Sequence, residues 1–289
     1  MKILISGSKG QLGQTIKKIS GNYAHEFVFT DVEELDITSK EAITELVSKE
    51  KPDFFINAAA YTAVDNAEEE KDKCSLINHQ AVENIASVCE KENIYFIHIS
   101  TDYVFDGKSS HPYSTFDKAN PLSVYGKTKF CGEKSALEIC KKSFVIRTSG
   151  LYSEYGKNFV KTMLTLCKEK ELINVVYDQT MSPCFATDLA KAIMSLIDKV
   201  SECGMPEEKY RLLHFSNEGV LSWFDLAKKV NDLAGLKCNI NPILSANYPT
   251  KAKRPEYSVL DKSLLKEYLQ CAIPHWEDAL KECLSLILK

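Results

Sequence analysis

Apolar residues in the first half of the chain fall into five short runs, at 2–6, 27–30, 54–57, 94–99 and 144–148. Between them, apolar positions recur every three or four residues. Such runs predict buried strands, and the longer period predicts helices with one buried face. The helices run to about Ile19, to about Glu50, from about Cys74 to Glu92, and onward from Tyr125. In the third of these, Cys74, Ile77, Ala81, Val82, Ile85, Val88 and Cys89 share a face. Asn78 falls among them, either as a satisfied core amide or as a brace for a site. Strands and helices in strict alternation define an α/β fold with a doubly wound parallel sheet.

Beyond Gly150 the alternation breaks down. Helices are expected at about 158–170, 187–199, 222–234 and 275–288, with Thr187 and Ser222 as N-caps, and short strands at 175–177 and 212–215. We read residues 1–150 as a dinucleotide-binding domain and 151–289 as a smaller substrate domain. The boundary is nominal, because some later segments should return to the main sheet. Trp223 and Trp276 read as core residues.

The connections carry the chemistry. Gly7-Ser-Lys-Gly10-Gln-Leu-Gly13 follows the first strand directly and opens a helix. One glycine permits the turn, one lets a backbone approach a pyrophosphate, and one lets helix and strand pack closely. The helix N-terminus then offers N–H groups to the anion. Asp31 ends the second strand, where a carboxylate would receive the ribose hydroxyls of an adenosine. It favours NADH, Lys9 pulls towards NADPH, and both remain open. Asp36 and Ile37 sit where a turn would cover an adenine; Asp36 reads equally as turn chemistry before a capping box, Thr38-Ser-Lys-Glu41. After the third strand, Ala58-Ala-Ala60 either admits a cofactor against the backbone or packs a helix. The fourth strand runs out into Ser100-Thr101-Asp102-Tyr103-Val104-Phe105, whose hydroxyls can reach a substrate carbonyl. About twenty residues of Gly-, Ser- and Pro-containing loop follow, a length that usually marks function or a lid.

That loop delivers Tyr125-Gly-Lys-Thr-Lys129. A tyrosine and a lysine four residues apart lie on one side of a helix. A cation beside a phenol favours the phenolate and lowers its pKa from about 10. By itself the spacing is common on helix surfaces; its place behind a dinucleotide loop and a hydroxyl-bearing strand end makes it a candidate proton donor.

Composition narrows the class without changing it. The 289 residues are 44% hydrophobic and 26% charged, with a formal net charge of −4. That balance gives no basis for nucleic-acid binding. No run approaches membrane-spanning length, and the glycine loop stands where an export signal would end. Ten scattered cysteines without a Cys-x-x-Cys pair, and six dispersed histidines, point to buried thiols in a reducing cytoplasm and no metal site.

Together these motifs resemble the extended short-chain dehydrogenase/reductases, a Rossmann-like fold, and within them the dTDP-4-dehydrorhamnose reductase family. Asn57-Ala-Ala-Ala-Tyr-Thr62-Ala-Val64-Asp65, Ser100 to Phe105, Tyr125 to Lys129, Asn158 to Met163, Asp178-Gln179, Ser222-Trp223 and Arg254-Pro255 extend the likeness over nearly the whole chain. The resemblance implies Tyr125 as proton donor, Lys129 as holder of the nicotinamide ribose and tuner of Tyr125, and Thr101 as the group that positions the sugar ketone. It places Gly7, Gly10, Gln11, Leu12, Gly13, Asp31, Asp36, Ile37, Ala60, Tyr61 and Thr62 at the cofactor. Thr62, Val64, Asp102, Tyr103, Gly150 and Arg254 would face the substrate, Arg254 through a diphosphate or else in a structural ion pair. NADPH or NADH is the implied cofactor and a nucleotide-linked 4-keto-6-deoxy sugar the implied partner, with a homodimer left open.

Two departures concern the sugar. Gly150 stands where the family has a tryptophan, a side chain that buries roughly 150–250 Å². Its absence leaves a hole or room for a different sugar. Ser182-Pro183-Cys184 replaces Gly-x-Pro-Thr. Two other functions remain in view: an epimerase of the same fold, and a non-catalytic regulatory subunit, which the loss of the indole would favour.

Overall fold

The computed structural model describes residues 1–289. The first half alternates as the periodicity requires: β1 (Lys2–Ser6), α1 (Gln11–Ile19), β2 (Glu26–Thr30), α2 (Lys40–Glu50), β3 (Phe54–Asn57), α3 (Lys71–Ser75), α4 (Ala81–Lys91), β4 (Tyr95–Thr101), α5 (Val124–Ile139) and β5 (Ser143–Thr148). The second half adds β6 (Leu151–Tyr152), α6 (Phe159–Glu169), β7 (Leu172–Val176), β8 (Thr180–Met181), β9 (Cys184–Phe185), α7 (Ala186–Cys203), β10 (Leu212–His214), β11 (Leu221–Ser222), α8 (Trp223–Leu233), β12 (Asn239–Ile243), α9 (Ser263–Leu269) and α10 (Trp276–Ile287).

Six strands form one parallel sheet in the order β10-β5-β4-β3-β1-β2. The order reverses between β1 and β3, which opens a crevice at the carboxyl ends of the strands. β1, β3 and the middle of β4 and β5 are buried on both faces, which is why they read as continuous apolar runs. One face packs on α2, α4 and α5 around Leu4, Phe55, Val82, Ile85 and Phe96. The other packs on α1, α7 and α9 around Ile5, Ile16, Ile56, Ile193 and Leu265. A separate apolar core of 19 residues joins α6, α8 and α10 with β7, around Val160, Phe185, Leu226, Val230 and Leu280.

Several local readings shift. The helix expected over 74–92 is three pieces, with a π-helical turn at Leu76–Gln80 between α3 and α4. Ser39, not Thr38, caps α2 by accepting from the Ala42 N–H, while Thr38 bonds to Asp36. α7 starts one residue before Thr187 and has no side-chain cap. Ser222 caps α8 as expected and forms a full capping box with Asp225. The expected strand at 175–177 lies earlier, at β7, paired with β12, whose polar sequence gave no strand signal.

Candidate active site

A cleft of about 790 Å³ lies over the carboxyl ends of β1, β3, β4 and β5, walled on the far side by residues of the second half. Its first wall is the glycine loop. Gly7 has φ +75°, and a Cβ there would lie 2.6 Å from the Ala59 nitrogen; one on Gly13 would lie 2.4 Å from the Gly7 carbonyl oxygen. Neither position tolerates a side chain, so the loop and the Ala58–Ala60 segment close tightly. Gly10 is the N-cap of α1 and offers no capping side chain. The first-turn N–H groups, without partners inside the helix, are thereby left to an anion. Asp31 accepts from the N–H groups of Lys9 at 2.8 Å and Val32 at 2.9 Å, which fixes its carboxylate at the rim. The Lys9 ammonium pairs with Glu33. These features fit a dinucleotide: a glycine cradle, free helix-end donors and a held carboxylate.

Gly7, Gly10, Gln11, Leu12, Asp31, Ala60, Thr62, Val64, Thr101, Asp102, Tyr103, Tyr125, Lys129, Gly150 and Arg254 all line this one cleft. Four expected contacts do not. Gly13 serves the packing of α1 on the loop, Ile37 is buried in the core against α2 and α4, and Asp36 is turned to the Thr38 N–H and hydroxyl. Tyr61 is held through its backbone: Asn78 Oδ1 accepts from its N–H at 2.8 Å and Asn78 Nδ2 donates to its carbonyl at 3.0 Å. Asn78 is therefore a brace for the loop after β3, placed there by the π turn. The side chain of Gln11 joins the two halves of the molecule, accepting from Ser153 Oγ at 3.1 Å and Asn158 Nδ2 at 2.9 Å.

The Tyr125 end of the cleft lies between β4 and α5. Two residues along a strand advance about 6.6 Å and four along a helix about 6 Å. Lys129 and Glu133 on α5 thus meet His98 and Ser100 on β4. Lys129 Nζ donates to the Ile99 carbonyl at 2.6 Å and lies 3.2 Å from His98 Nε2. Glu133 accepts from Ser100 Oγ at 2.5 Å and from Arg147 Nε and Nη2 at 2.9 and 2.6 Å, all in the interior. Asp102 is buried, taking the hydroxyls of Thr101 at 3.0 Å and Ser149 at 2.7 Å. Burial raises its carboxyl above the usual carboxylate range against the opposing hydrogen bonds from Ser258, Ser149 and Thr101. The ring of Tyr103 stands edge-on to that of Tyr125, centroids 5.8 Å apart.

The expected lowering of the Tyr125 pKa is reversed here. Burial pushes the phenol well above its ordinary value, with the Thr101 hydroxyl opposing, and the Lys129 charge does not offset it. Lys129 is itself lowered to about 8, because burial outweighs the attraction of Glu133. The phenol is thus protonated, the form a donor needs.

The far wall corrects the sequence on Trp223. Its indole is half-exposed, packs on Phe159 with centroids 4.6 Å apart and lines the cleft. Gly150 has φ +53°, and Met181 Sδ and the Trp223 ring lie 3.2 and 3.5 Å from where its Cβ would be. Met181 and Trp223 thus stand beside Gly150, which still lines the cleft. Arg254 forms an ion pair with Asp65 at 2.9 Å, the structural reading of it, and also lines the cleft. Lys157 and Asn158 also line it; a Gly-Lys-Asn run before a helical pattern was the available signal. The long loop is strapped down, since Tyr113 exchanges backbone bonds with Val259 and Asp261 and stacks on Phe105 at 4.1 Å.

A doubly wound sheet with this loop, cleft and Tyr-Lys pair defines an NAD(P)H-dependent oxidoreductase of the short-chain dehydrogenase/reductase type. The family model described as the RmlD substrate binding domain matches residues 1–288, and the chain belongs to that family. The dTDP-4-dehydrorhamnose reductase of Aggregatibacter actinomycetemcomitans is 38% identical over 287 residues, covering 97% of each chain. A crystal structure of a dTDP-4-dehydrorhamnose reductase from Clostridium acetobutylicum superposes with a TM-score of 0.94 at 38% identity, over 100% of both chains. A Bacillus anthracis dTDP-4-dehydrorhamnose reductase in complex with NADP gives 0.93 at 35% identity, over 99% of each.

Proposed function

We propose that this protein reduces the C4 ketone of a dTDP-linked 4-keto-6-deoxy sugar, converting dTDP-4-dehydrorhamnose to dTDP-L-rhamnose for surface polysaccharide. The observation that carries this reading is the half-buried Tyr125, lining the cleft with Thr101 at the carboxyl ends of β4 and β5. The glycine loop, the α1 N-terminus and Asp31 would hold the cofactor's diphosphate and adenosine, and Lys129 its nicotinamide ribose. A bound nicotinamide supplies the hydride. The chain's own residues do the rest: Thr101 and Tyr103 orient the ketone, the indole of Trp223 gives the sugar an apolar wall, and Tyr125 donates its proton to the ketone oxygen as negative charge develops there. The absence of any helix long and apolar enough to cross a membrane suits work on a soluble nucleotide sugar in the cytoplasm.

The test is NADH and NADPH oxidation with enzymatically prepared dTDP-4-keto-6-deoxy sugar. Turnover is expected with at least one cofactor, and Tyr125→Phe should lower kcat by about 10²–10⁴-fold while leaving cofactor binding intact. Tight cofactor binding without turnover on any such sugar would refute the reductase reading, and an active Tyr125→Phe would remove the proton-donor role.

A further inference from the structure

Behind Lys129 a chain of side chains determines which atoms carry protons. His98 is fully buried, with Nε2 3.2 Å from Lys129 Nζ and Nδ1 3.3 Å from Asn57 Nδ2. The orientation of the Asn57 amide follows from its other end. Its Oδ1 accepts from the backbone N–H of Ala59 at 3.2 Å, a group that can only donate, and from the Ser6 hydroxyl at 2.8 Å. The amide NH₂ therefore faces Nδ1 and donates to it. A neutral imidazole has one donor and one acceptor nitrogen. With Nδ1 accepting, the ring proton sits on Nε2 and points at Lys129.

An ammonium has three N–H groups and no lone pair, so it would meet the Nε2–H donor to donor. A neutral amine accepts from Nε2–H, donates one hydrogen to the Ile99 carbonyl and keeps one for the cleft. We propose that His98 is a positioning residue that carries its proton on Nε2 and biases Lys129 towards its neutral amine in the cofactor-free protein. Its importance for catalysis rests on the reading of Tyr125 and Lys129 as the reacting pair.

Two groups near the amine, Glu133 and Cys74, favour the ammonium, and burial outweighs them. Glu133, four residues on along α5, is already engaged by Arg147 of β5. Cys74 of α3 is a buried thiol whose pKa is raised by burial, hence uncharged. Tyr125, on the same helix, is a protonated phenol. Burial brings Lys129 down to about 8, and a donor aimed at its nitrogen acts in the same direction.

Nitrogen-detected NMR of the full-length, ¹⁵N-histidine-labelled protein reads this directly, with His98→Gln assigning the signal among the six histidines. The expected signature is a neutral Nε2–H ring across about pH 6–8; an Nδ1–H ring or an imidazolium would overturn the proposal. Asn57→Asp provides an acceptor for Nδ1–H, which would free Nε2 to accept from an ammonium. The ring should switch tautomer, and the Lys129 titration, followed at its labelled ε-carbon, should rise by about one pH unit or more, tenfold in proton affinity. His98→Gln should move the same titration upward, whereas a merely structural histidine would leave it in place. An Nε2–H ring in a protein without reductase activity would spare this inference and sink the proposed function. Activity with an Nδ1–H ring would do the reverse.

Discussion

Lys129 carries its nitrogen to a position only 2% exposed, and what burial does to it could not be read from its spacing to Tyr125. The four-residue interval places phenol and amine on one face of a helix whatever surrounds them. The direction of their pKa shifts depends on how much water the sheet and the second half remove, which is a tertiary property. A lysine whose pKa falls from 10.5 unfolded to about 8 folded lowers stability most below pH 8. Between those values the unfolded chain binds more protons, so stability rises with pH. Lys129→Met should therefore be inactive yet more stable at pH 7, by about 1–2 kcal/mol once the lost bond to the Ile99 carbonyl is counted. The advantage should shrink as pH climbs from 8 towards 10.5. Urea unfolding at pH 7 and pH 10 checks this; a variant weaker at pH 7, or a gap that does not close, would count against the cause assigned.

Between elements, α5 is registered on the sheet through polar contacts that no hydrophobic pattern reports. Glu133 takes Ser100 from β4 and two guanidinium N–H groups from β5, locking the helix that carries Tyr125 to the strand that carries Thr101. Breaking one partner of such a buried pair leaves the other charged and unmatched. Glu133→Gln is expected to cost about 3–5 kcal/mol, seen as a lowered urea midpoint, and to weaken turnover through misplacement of Tyr125. The packing is equally close at Gly132, where a Cβ would lie 2.2 Å from the carbonyl oxygen of Asn78 in the π turn. The periodicity read one helix across this region because its apolar face is continuous. The extra residue of a π turn leaves that face nearly in place while swinging Asn78 towards Tyr61.

Across the whole molecule, the cleft is shared by elements far apart in sequence. Residues 7–31 form one wall and Gly150, Trp223 and Arg254 the other, with Gln11 bonded to Asn158 between them. At the proposed adenosine end, Asp31, Glu33 and Glu34 crowd together while Lys9 is spent on Glu33. A 2′-phosphate would meet net negative charge there, so NADH is expected to be the better reductant. Asp31→Asn should raise the ratio of kcat/KM for NADPH over NADH by about tenfold, measured side by side on the same sugar. An unchanged ratio would remove Asp31 from cofactor choice.

The sequence by itself determined the strand-helix alternation, the glycine loop, the Tyr125–Lys129 pair and the Ser222 N-cap, because each depends on neighbours within about a turn or a strand. It also marked Gly150 as a departure in the sugar wall. Only the tertiary structure decided that Met181 and Trp223 stand beside that glycine, that Arg254 answers Asp65, that the long loop is strapped to Val259, and that His98 stands behind Lys129. Those are contacts between residues tens to hundreds of positions apart. Their outcome depends on which donors and acceptors burial leaves facing one another.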